Sequence, residues 1–371
     1  MANDQGMRRA FQFLLGVWCV GLAWSLGPGT CSFAAPPVFP GKTWEHCAPA
    51  DVQLSPPKLS ALAELAGGRG CVVRHGRMAF SWGDSSRSYD VASAMKPVIS
   101  TMLFIAIAEG KLASPDAKVA EFEPRLLALN DGKDAAITWR HLASQTSGYG
   151  LVEKPGAAYS YNDFALALYY DTLTAKVFKE QGLDVFRSRL AGPMQFEDAI
   201  NFDKPRAGRL ALSVRDFARF GLLCLHRGKW ADRQLVDAKS FDAMLGSIVP
   251  PSLPRTSGKE APMTEGQRSI GGTRNITPAG PGFYSFNWWL NKTNALGQRL
   301  YRDLPHDTFI AAGHGGKRML FIVPSWDVVV SWNDSVIDDH DSSPANADTK
   351  ANRAARLLAQ AVLDSEASKS R

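Results

Sequence analysis

The segment from Ala92 to Ala108 constrains the fold of this chain more than any other. Its side chains are apolar on nearly every side of a helix, and the pattern ends at Gly110. A helix that is apolar all round is buried on all faces, whereas a surface helix shows one apolar stripe. The fold must therefore cover this helix on every side, and a chain of 371 residues is long enough to do so.

The composition places the chain among ordinary globular proteins. It is 45% hydrophobic and 21% charged, which excludes collagen-like and wholly disordered chains. The net charge is +6, but Lys and Arg are scattered and form no basic stripe with interleaved aromatic residues. We therefore expect no nucleic-acid partner. The composition leaves the oligomeric state open.

The N-terminal segment has the pattern of a secretory signal peptide. Two arginines precede an apolar run at residues 10–26, and Ser32 and Ala34 have the spacing of a cleavage site. We expect a signal peptide at residues 1–34 and a periplasmic or secreted chain at residues 35–371. An uncleaved membrane anchor is the alternative, because the apolar run is near the short limit for a membrane span. No later segment is long and apolar enough to cross a bilayer.

The expected mature chain keeps three cysteines, Cys47, Cys71 and Cys224. Export permits a disulfide, and Cys47 and Cys71 flank one predicted helix and could pair. Cys224 lies in a Leu-rich helical pattern, which favours a buried and inert thiol. Because the number is odd, no disulfide framework is expected to hold the fold.

Strand patterns lie towards both termini, and helical patterns lie between them. Ser55, followed by two prolines, begins a helix that ends at Ala66, and residues 71–82 have the pattern of a hairpin. The C-terminal patterns are strands at Phe283–Leu290, Phe309–Ala312, Met319–Val323 and Val328–Trp332, and a helix at about Asn346–Leu363.

These patterns predict an α/β fold, with an antiparallel sheet flanked by helices and an inserted, mostly helical subdomain. The α/β part covers about residues 35–110 and 283–371, and the helical part about 111–246. Residues 247–282 are rich in Pro, Gly, Ser and Thr and show no period. A loop of this length is typical of a functional or disordered segment.

Ser93 and Lys96 lie three positions apart at the start of the buried helix. Such positions share a helix face, so the two side chains can meet. Burial disfavours an ammonium and can lower the pKa of Lys96, and a serine beside such a base can become a nucleophile. A plain helix cap is the alternative for Ser93. The same spacing occurs at Ser55 and Lys58, where a helix cap in polar surroundings is the better interpretation.

Two further segments carry candidate site residues. Residues 155–163 place Tyr161 in a polar turn before a helix, where a packing role is the alternative. Residues 311–317 contain Gly313-His314-Gly315-Gly316 between two strand patterns. Glycine in a strand leaves room for a ligand or another backbone, and a bulge or tight turn is the alternative.

The segments that contain Ser93, Tyr161 and His314, taken together in this order, resemble the serine hydrolases related to class C β-lactamases and D,D-peptidases. The most similar branch contains the family VIII carboxylesterases and the aminohexanoate-dimer hydrolases. The resemblance covers roughly residues 73–332 and includes shorter motifs at residues 138–148, 219–223 and 287–290. It implies a β-lactamase/transpeptidase-like fold, acyl-enzyme chemistry on a small ester or amide, and no cofactor or metal.

The resemblance also implies a role for each matching residue. Ser93 would be the acylated nucleophile, Lys96 would assist its deprotonation, and Tyr161 would pass the proton to the leaving group. The backbone N–H groups of Ser93 and Lys317 would form the oxyanion hole, where positioned donors stabilise developing charge. The residues expected to bind substrate are Asp163, His314, Gly315, Gly316 and Trp289.

Two residues depart from the β-lactamase pattern. Asp163 stands at the third position of the Tyr-x-Asn motif, and His314 stands where β-lactamases carry the Lys of Lys-Thr-Gly. The local charge is then near zero, because Asp163 offsets Lys96 and a histidine is mostly neutral at pH 7. Less positive charge makes Tyr161 a less ready base and points to neutral esters or unstrained amides. Asn162 is an alternative to Asp163 for the Asn role.

Three functions are therefore considered. The favoured one is an exported carboxylesterase or amidase that acts on a small molecule. The others are a D,D-peptidase or β-lactamase, and a non-catalytic binding protein in which Asp163 marks lost activity. The sequence contains no Gly-x-Ser-x-Gly elbow, no zinc-binding motif and no phosphate-binding glycine loop.

Overall fold

The computed structural model describes residues 37–202, 207–272, 279–294, 296–339, 346 and 348–369. The expected signal peptide at residues 1–34 lies outside the described residues. Among the helices that are described, none is both long and apolar enough to cross a membrane.

Strands from both ends of the chain meet in one antiparallel sheet. In the described residues the strands are β1 (Arg69–Arg74), β2 (Arg77–Trp82), β3 (Tyr89–Asp90), β4 (Ala211–Leu212), β5 (Lys229–Trp230), β6 (Arg233–Gln234), β7 (Tyr284–Ser285), β8 (Trp288–Leu290), β9 (Phe309–Gly313), β10 (Arg318–Val323) and β11 (Val328–Asn333). Seven of them form a sheet in the order β2-β1-β11-β10-β9-β8-β7. Every neighbouring pair is antiparallel. The short ladders β3–β4 and β5–β6 are separate.

The helices lie around this sheet and in the region between β2 and β7. They are α1 (Pro56–Ala66), α2 (Lys96–Ala108), α3 (Trp139–Ala143), α4 (Asp163–Asp171), α5 (Gly182–Phe186), α6 (Val214–Leu225), α7 (Ala238–Gly246) and α8 (Lys350–Lys369). Wider π-helical turns extend α4 and α5 at Thr172–Phe178 and Arg187–Ala191. Helices α3 to α7 all come between β2 and β7 in the chain.

Helices cover both faces of the sheet. Alternate residues of a strand point to opposite faces, so one strand contributes to two apolar clusters. On β1, Val73 belongs to an apolar cluster with residues of α2 and α6, whereas Val72 belongs to a second cluster with α1 and α8. Every residue of α2 from Lys96 to Ala106 is buried, as the all-round apolar pattern predicts. The α/β fold with an antiparallel sheet flanked by helices is confirmed.

Two elements differ from their predicted form. The segment Phe283–Leu290, predicted as one strand, is the hairpin β7–β8. Phe286 and Asn287 have φ of 41° and 68°, which is the left-handed backbone of a two-residue hairpin turn. The helix predicted from Ala92 begins as a 3-10 turn and becomes α-helical at Lys96. In the described parts of the predicted loop 247–282, the strand pairing consists of isolated bridges.

Cys47 and Cys71 are free thiols, so the disulfide left open by the sequence does not form. The sheet separates them, since Cys71 lies in the cluster with α2 and α6 while Cys47 packs against the opposite cluster. Cys71 Sγ donates to the carbonyl oxygen of Val214 at 3.5 Å. Cys224 is buried in α6, and this burial raises the pKa of its thiol.

We expect Gly221→Ala to destabilise the protein by about 1–3 kcal/mol through overpacking. A Cβ at Gly221 in α6 would lie 2.5 Å from Val329 Cγ1 and 2.9 Å from Leu320 Cδ1 in the sheet. Gly246 in α7 is the matched control, because a Cβ there meets nothing within 4 Å. Gly246→Ala should be neutral or slightly stabilising. Urea denaturation of both variants measures the difference, and equal stabilities would contradict close packing of α6 on the sheet.

Candidate active site

Ser93 lies in the single 3-10 turn Ala92–Met95, which leads directly into α2. Ala92, Ala94 and Met95 are buried, and Ser93 is the one residue of this turn that is not. The turn therefore buries the residues on both sides of Ser93 and leaves Ser93 itself partly accessible. Ser93 does not occupy a helix-cap position, because Val91 caps this turn and Met95 caps α2.

Lys96 joins the serine to a carboxylate from the helical region. Its Nζ donates to Ser93 Oγ at 2.7 Å and lies 2.9 Å from Asp163 Oδ1. The side chains of Lys96 and Asp163 are only 2% and 3% exposed. A charge buried this deeply needs a partner, and Asp163 supplies it.

The pKa of Lys96 reflects two opposing influences. Burial disfavours the ammonium and alone would lower this pKa, but the nearby Asp163 carboxylate and Tyr161 side chain outweigh it. The net result is a pKa above the ordinary value for lysine. This is the reverse of the lowering that burial alone suggests from the sequence, so Lys96 is an ammonium at neutral pH.

Tyr161 and Trp289 form an aromatic wall beside this pair. Lys96 Nζ lies 4.3 Å from the centre of the Tyr161 ring, a distance at which a cation is attracted by the face of the ring. Tyr161 stacks on Trp289 with 6.1 Å between ring centroids. Tyr284, which the sequence did not single out, contacts both rings edge to face. The structure thus brings together four predicted residues, and Trp289 packs on one of them, Tyr161. The four are Ser93, Lys96, Tyr161 and Asp163.

Asn162 has a different task from Asp163. Its Oδ1 accepts hydrogen bonds from the backbone N–H groups of Phe164 and Ala165, at 2.9 and 3.1 Å, and so caps α4. Its Nδ2 donates to the carbonyl oxygen of Tyr149 at 2.9 Å. Since both ends of this amide are engaged, the contact with Lys96 is made by Asp163 and the alternative of Asn162 in that place is not realised.

The segment from His314 to Lys317 is a tight turn between β9 and β10, one of the two alternatives the sequence left open. The Lys317 backbone N–H donates to the carbonyl oxygen of His314 at 3.1 Å. This geometry argues against Lys317 as an oxyanion donor, because its N–H closes the turn. Gly315 and Gly316 face residues 337–339, and the His314 side chain is exposed. His314 and Lys317 line a cavity together with Ala92, the residue before Ser93.

Gly313, the last residue of β9, is the one that reaches the serine turn. A Cβ at Gly313 would lie 2.8 Å from the Val91 carbonyl oxygen and 3.1 Å from both Ala92 Cβ and Ala94 N. Only a residue without a side chain allows this approach. The rule that glycine in a strand leaves room for another backbone applies here to Gly313, two residues before the first of the glycines that the resemblance selected.

Gly271 makes a similar close approach to the ion pair. A Cβ there would lie 1.9 Å from Asp163 Oδ2, and the neighbouring Ile270 N–H donates to the Asp163 carbonyl oxygen at 3.2 Å. The predicted loop therefore covers the carboxylate that faces Lys96. No sequence signal separates Gly271 from the other glycines of this loop. Within the described residues, no group of three or more His, Cys, Asp or Glu is placed to hold a metal ion.

The chain is similar to a known protein family over most of its length. The family model described as Beta-lactamase matches residues 59–332. A comparison of the sequence with curated proteins gives no significant match.

Solved structures share the fold at low sequence identity. The hydrolase EstCE1, which has promiscuous acyltransferase activity, superposes with a TM-score of 0.58 at 14% identity, covering 84% of this chain and 99% of its own. A protein assigned as a 6-aminohexanoate-dimer hydrolase from Bacillus anthracis gives 0.55 at 13% identity, with coverages of 84% and 82%. A beta-lactamase/D-alanine carboxypeptidase from Pseudomonas syringae gives 0.53 at 13%, with coverages of 85% and 99%. At these identities the similarity shows the fold alone.

We expect Asp163→Asn to lower the pKa of Lys96, because the variant keeps the burial and loses the opposing carboxylate. The ammonium form of Lys96 should then be lost at lower pH than in the unmodified protein. NMR titration of labelled lysine, assigned with Lys96→Met, measures this pKa. Asp171→Asn is the control, because Asp171 lies at the other end of α4 and pairs with Arg268. An unchanged Lys96 pKa in Asp163→Asn would contradict the ion pair.

Proposed function

Because the chain belongs to the beta-lactamase family of serine hydrolases, we propose that it hydrolyses a small neutral ester or amide through an acyl-enzyme on Ser93. The observation that carries this proposal is the position of Lys96, whose Nζ contacts Ser93 Oγ, Asp163 and the Tyr161 ring together. A serine held by a buried lysine at the start of a buried helix has the surroundings of an activated nucleophile.

The proposed reaction has two stages. Ser93 Oγ attacks the substrate carbonyl carbon, and its proton passes to Lys96 as Lys96 transfers one of its own protons to the Asp163 carboxylate. The bond to the leaving group then breaks, the departing alcohol or amine takes a proton from Lys96 through Tyr161, and Lys96 recovers a proton from Asp163, which restores the ion pair. Water then attacks the acyl-enzyme, which releases the carboxylic acid and returns the proton to Ser93 Oγ. Asp163 is needed in the first step, since Lys96 is already protonated at rest.

The oxyanion is proposed to bind at the serine turn. The Ser93 backbone N–H supplies one donor, as the family resemblance implies. We assign the second donor to the backbone where β9 ends, because Gly313 lies against this turn and the Lys317 N–H is bonded within its own turn. Donors fixed in this way stabilise charge that develops during the reaction.

The charge of the site favours neutral substrates. Lys96 is paired with Asp163, and Lys317 Nζ lies 2.7 Å from Asp338 Oδ2. Neither lysine is therefore presented alone to a substrate carboxylate. A penicillin-like acid would gain little attraction here, whereas a neutral ester needs none.

Replacement of Ser93 tests the proposal. We expect Ser93→Ala to reduce the rate of hydrolysis of a short-chain p-nitrophenyl ester at least about 10³-fold. The variant should also lose labelling by a fluorophosphonate probe. Ser55→Ala is the matched control, because Ser55 and Lys58 share the spacing but lie at the surface start of α1, where Lys58 Nζ contacts Gln360. Activity and labelling should be unchanged in Ser55→Ala.

The same assay separates the other functions. The unmodified protein should hydrolyse the p-nitrophenyl ester faster than a chromogenic cephalosporin, and the reverse order would favour a β-lactamase or D,D-peptidase. Labelling that survives in Ser93→Ala would refute the assignment of the nucleophile. A folded protein that turns over no ester, amide or β-lactam would support a non-catalytic binding protein.

The proposal includes export, which rests on the N-terminal sequence pattern. We expect expression of the full chain in a bacterium to give a periplasmic or secreted protein that begins after Ala34. N-terminal sequencing and intact mass measure this directly. A protein that keeps residues 1–34 and sediments with membranes would indicate an uncleaved anchor instead.

A further inference from the structure

Ala92, the residue before Ser93, has an unusual backbone conformation. Its φ is +50°, in the left-handed region that residues with a side chain rarely adopt, because Cβ approaches the following carbonyl oxygen. The Cβ atom is also confined, since it lies against Gly313. Strain of this kind persists only where the surroundings impose it, so some contact must hold Ala92 in place.

The contact is made by the side chain of Asp90. Its Oδ1 accepts a hydrogen bond from the Ala92 backbone N–H at 2.8 Å, a local bond that stabilises a turn two residues on. Its Oδ2 accepts from Arg209 Nε at 3.2 Å and also from Arg209 Nη2. The side chains of Asp90 and Arg209 are 18% and 17% exposed, so water screens this pair only in part. One carboxylate thus joins the serine turn to a fixed cation.

The backbone around Asp90 is anchored as well. Its carbonyl oxygen accepts from Arg318 Nε and from Asn333 Nδ2, both at 3.3 Å. The Val91 N–H donates to the Leu210 carbonyl oxygen at 2.9 Å. Because these partners come from the central sheet and from the segment entering β4, Asp90 cannot shift without disturbing two separate elements.

We propose that Asp90, held by Arg209, is a positioning residue for Ser93. Its carboxylate keeps Ala92 in the left-handed conformation, and this conformation directs the next residue towards Lys96. The inference rests on the proposed function, since it assumes that Ser93 is the nucleophile. Asp90 acts through the backbone of Ala92 and is not a catalytic residue.

Four variants test this role. We expect Asp90→Ala to slow fluorophosphonate labelling of Ser93, and to lower kcat for the p-nitrophenyl ester, by about tenfold, or about 1.4 kcal/mol at 25 °C. KM should change little. Ala92→Gly alone should be close to the unmodified protein, and Ala92→Gly added to Asp90→Ala should restore most of the rate, because glycine adopts positive φ without strain. The labelling rate of Asp90→Asn should lie between those of Asp90→Ala and the unmodified protein, since Asn keeps an acceptor for the Ala92 N–H but loses the ion pair.

Asp84→Ala is the control, because it removes a similar local hydrogen bond that lies away from the serine turn. Asp84 Oδ1 accepts from the Ser86 N–H at 3.1 Å in an exposed turn, so its loss should leave the labelling rate unchanged. Should Asp90→Ala fail to fold, Asp90→Asn with and without Ala92→Gly carries the same comparison. A merely structural role would lower thermal stability without rescue by Ala92→Gly.

Two results would overturn the inference while the proposed function stands. One is labelling of Asp90→Ala at the unmodified rate, and the other is no gain of rate when Ala92→Gly is added to it. If the unmodified protein shows no labelling that depends on Ser93, the proposed function itself fails, and the positioning role fails with it.

Discussion

The architecture of the site depends on the charge of Lys96, which is buried almost completely at the start of α2. Taking such a charge out of water costs several kcal/mol unless a partner compensates it. Asp163 is that partner, and it belongs to α4 in the helical region. The ion pair therefore brings the beginnings of two helices together. Ser93 lies just before one helix and Tyr161 just before the other, so the same contact brings the Ser93 hydroxyl and the Tyr161 ring to one ammonium.

The position of Ser93 also depends on contacts that involve no catalytic side chain. Gly313 ends β9 against the serine turn, and Asp90 bonds to the N–H of the strained Ala92. Both contacts act on backbone atoms, which have less freedom than a side chain. A nucleophile held in this way can meet Lys96 with little further ordering, and pre-organisation of this kind lowers the entropic part of a reaction barrier.

Much of the fold could be predicted from periodicity. The all-round apolar pattern identified α2 as buried, and alternation identified the hairpin at residues 71–82 and the three C-terminal strands. Prediction was less accurate where backbone dihedrals decide the structure. The segment at residues 283–290 turns at Phe286 and Asn287. Asn adopts left-handed backbone readily, but Phe rarely does and no glycine follows Asn287, so the usual two-residue turn signal is missing. Lys317 was placed in the oxyanion hole by motif alone, yet its N–H closes a turn.

The sequence by itself determined which groups are available for chemistry and which helix is buried, because residue type and local spacing decide both. It could therefore select Ser93, Lys96, Tyr161 and Asp163. Only the tertiary structure decided the charge of Lys96, since a pKa depends on partners that are distant in the chain, and burial and Asp163 act in opposite directions. It also decided which backbone atoms reach Ser93, because such contacts depend on ångström-scale approach between elements, which residue spacing does not encode.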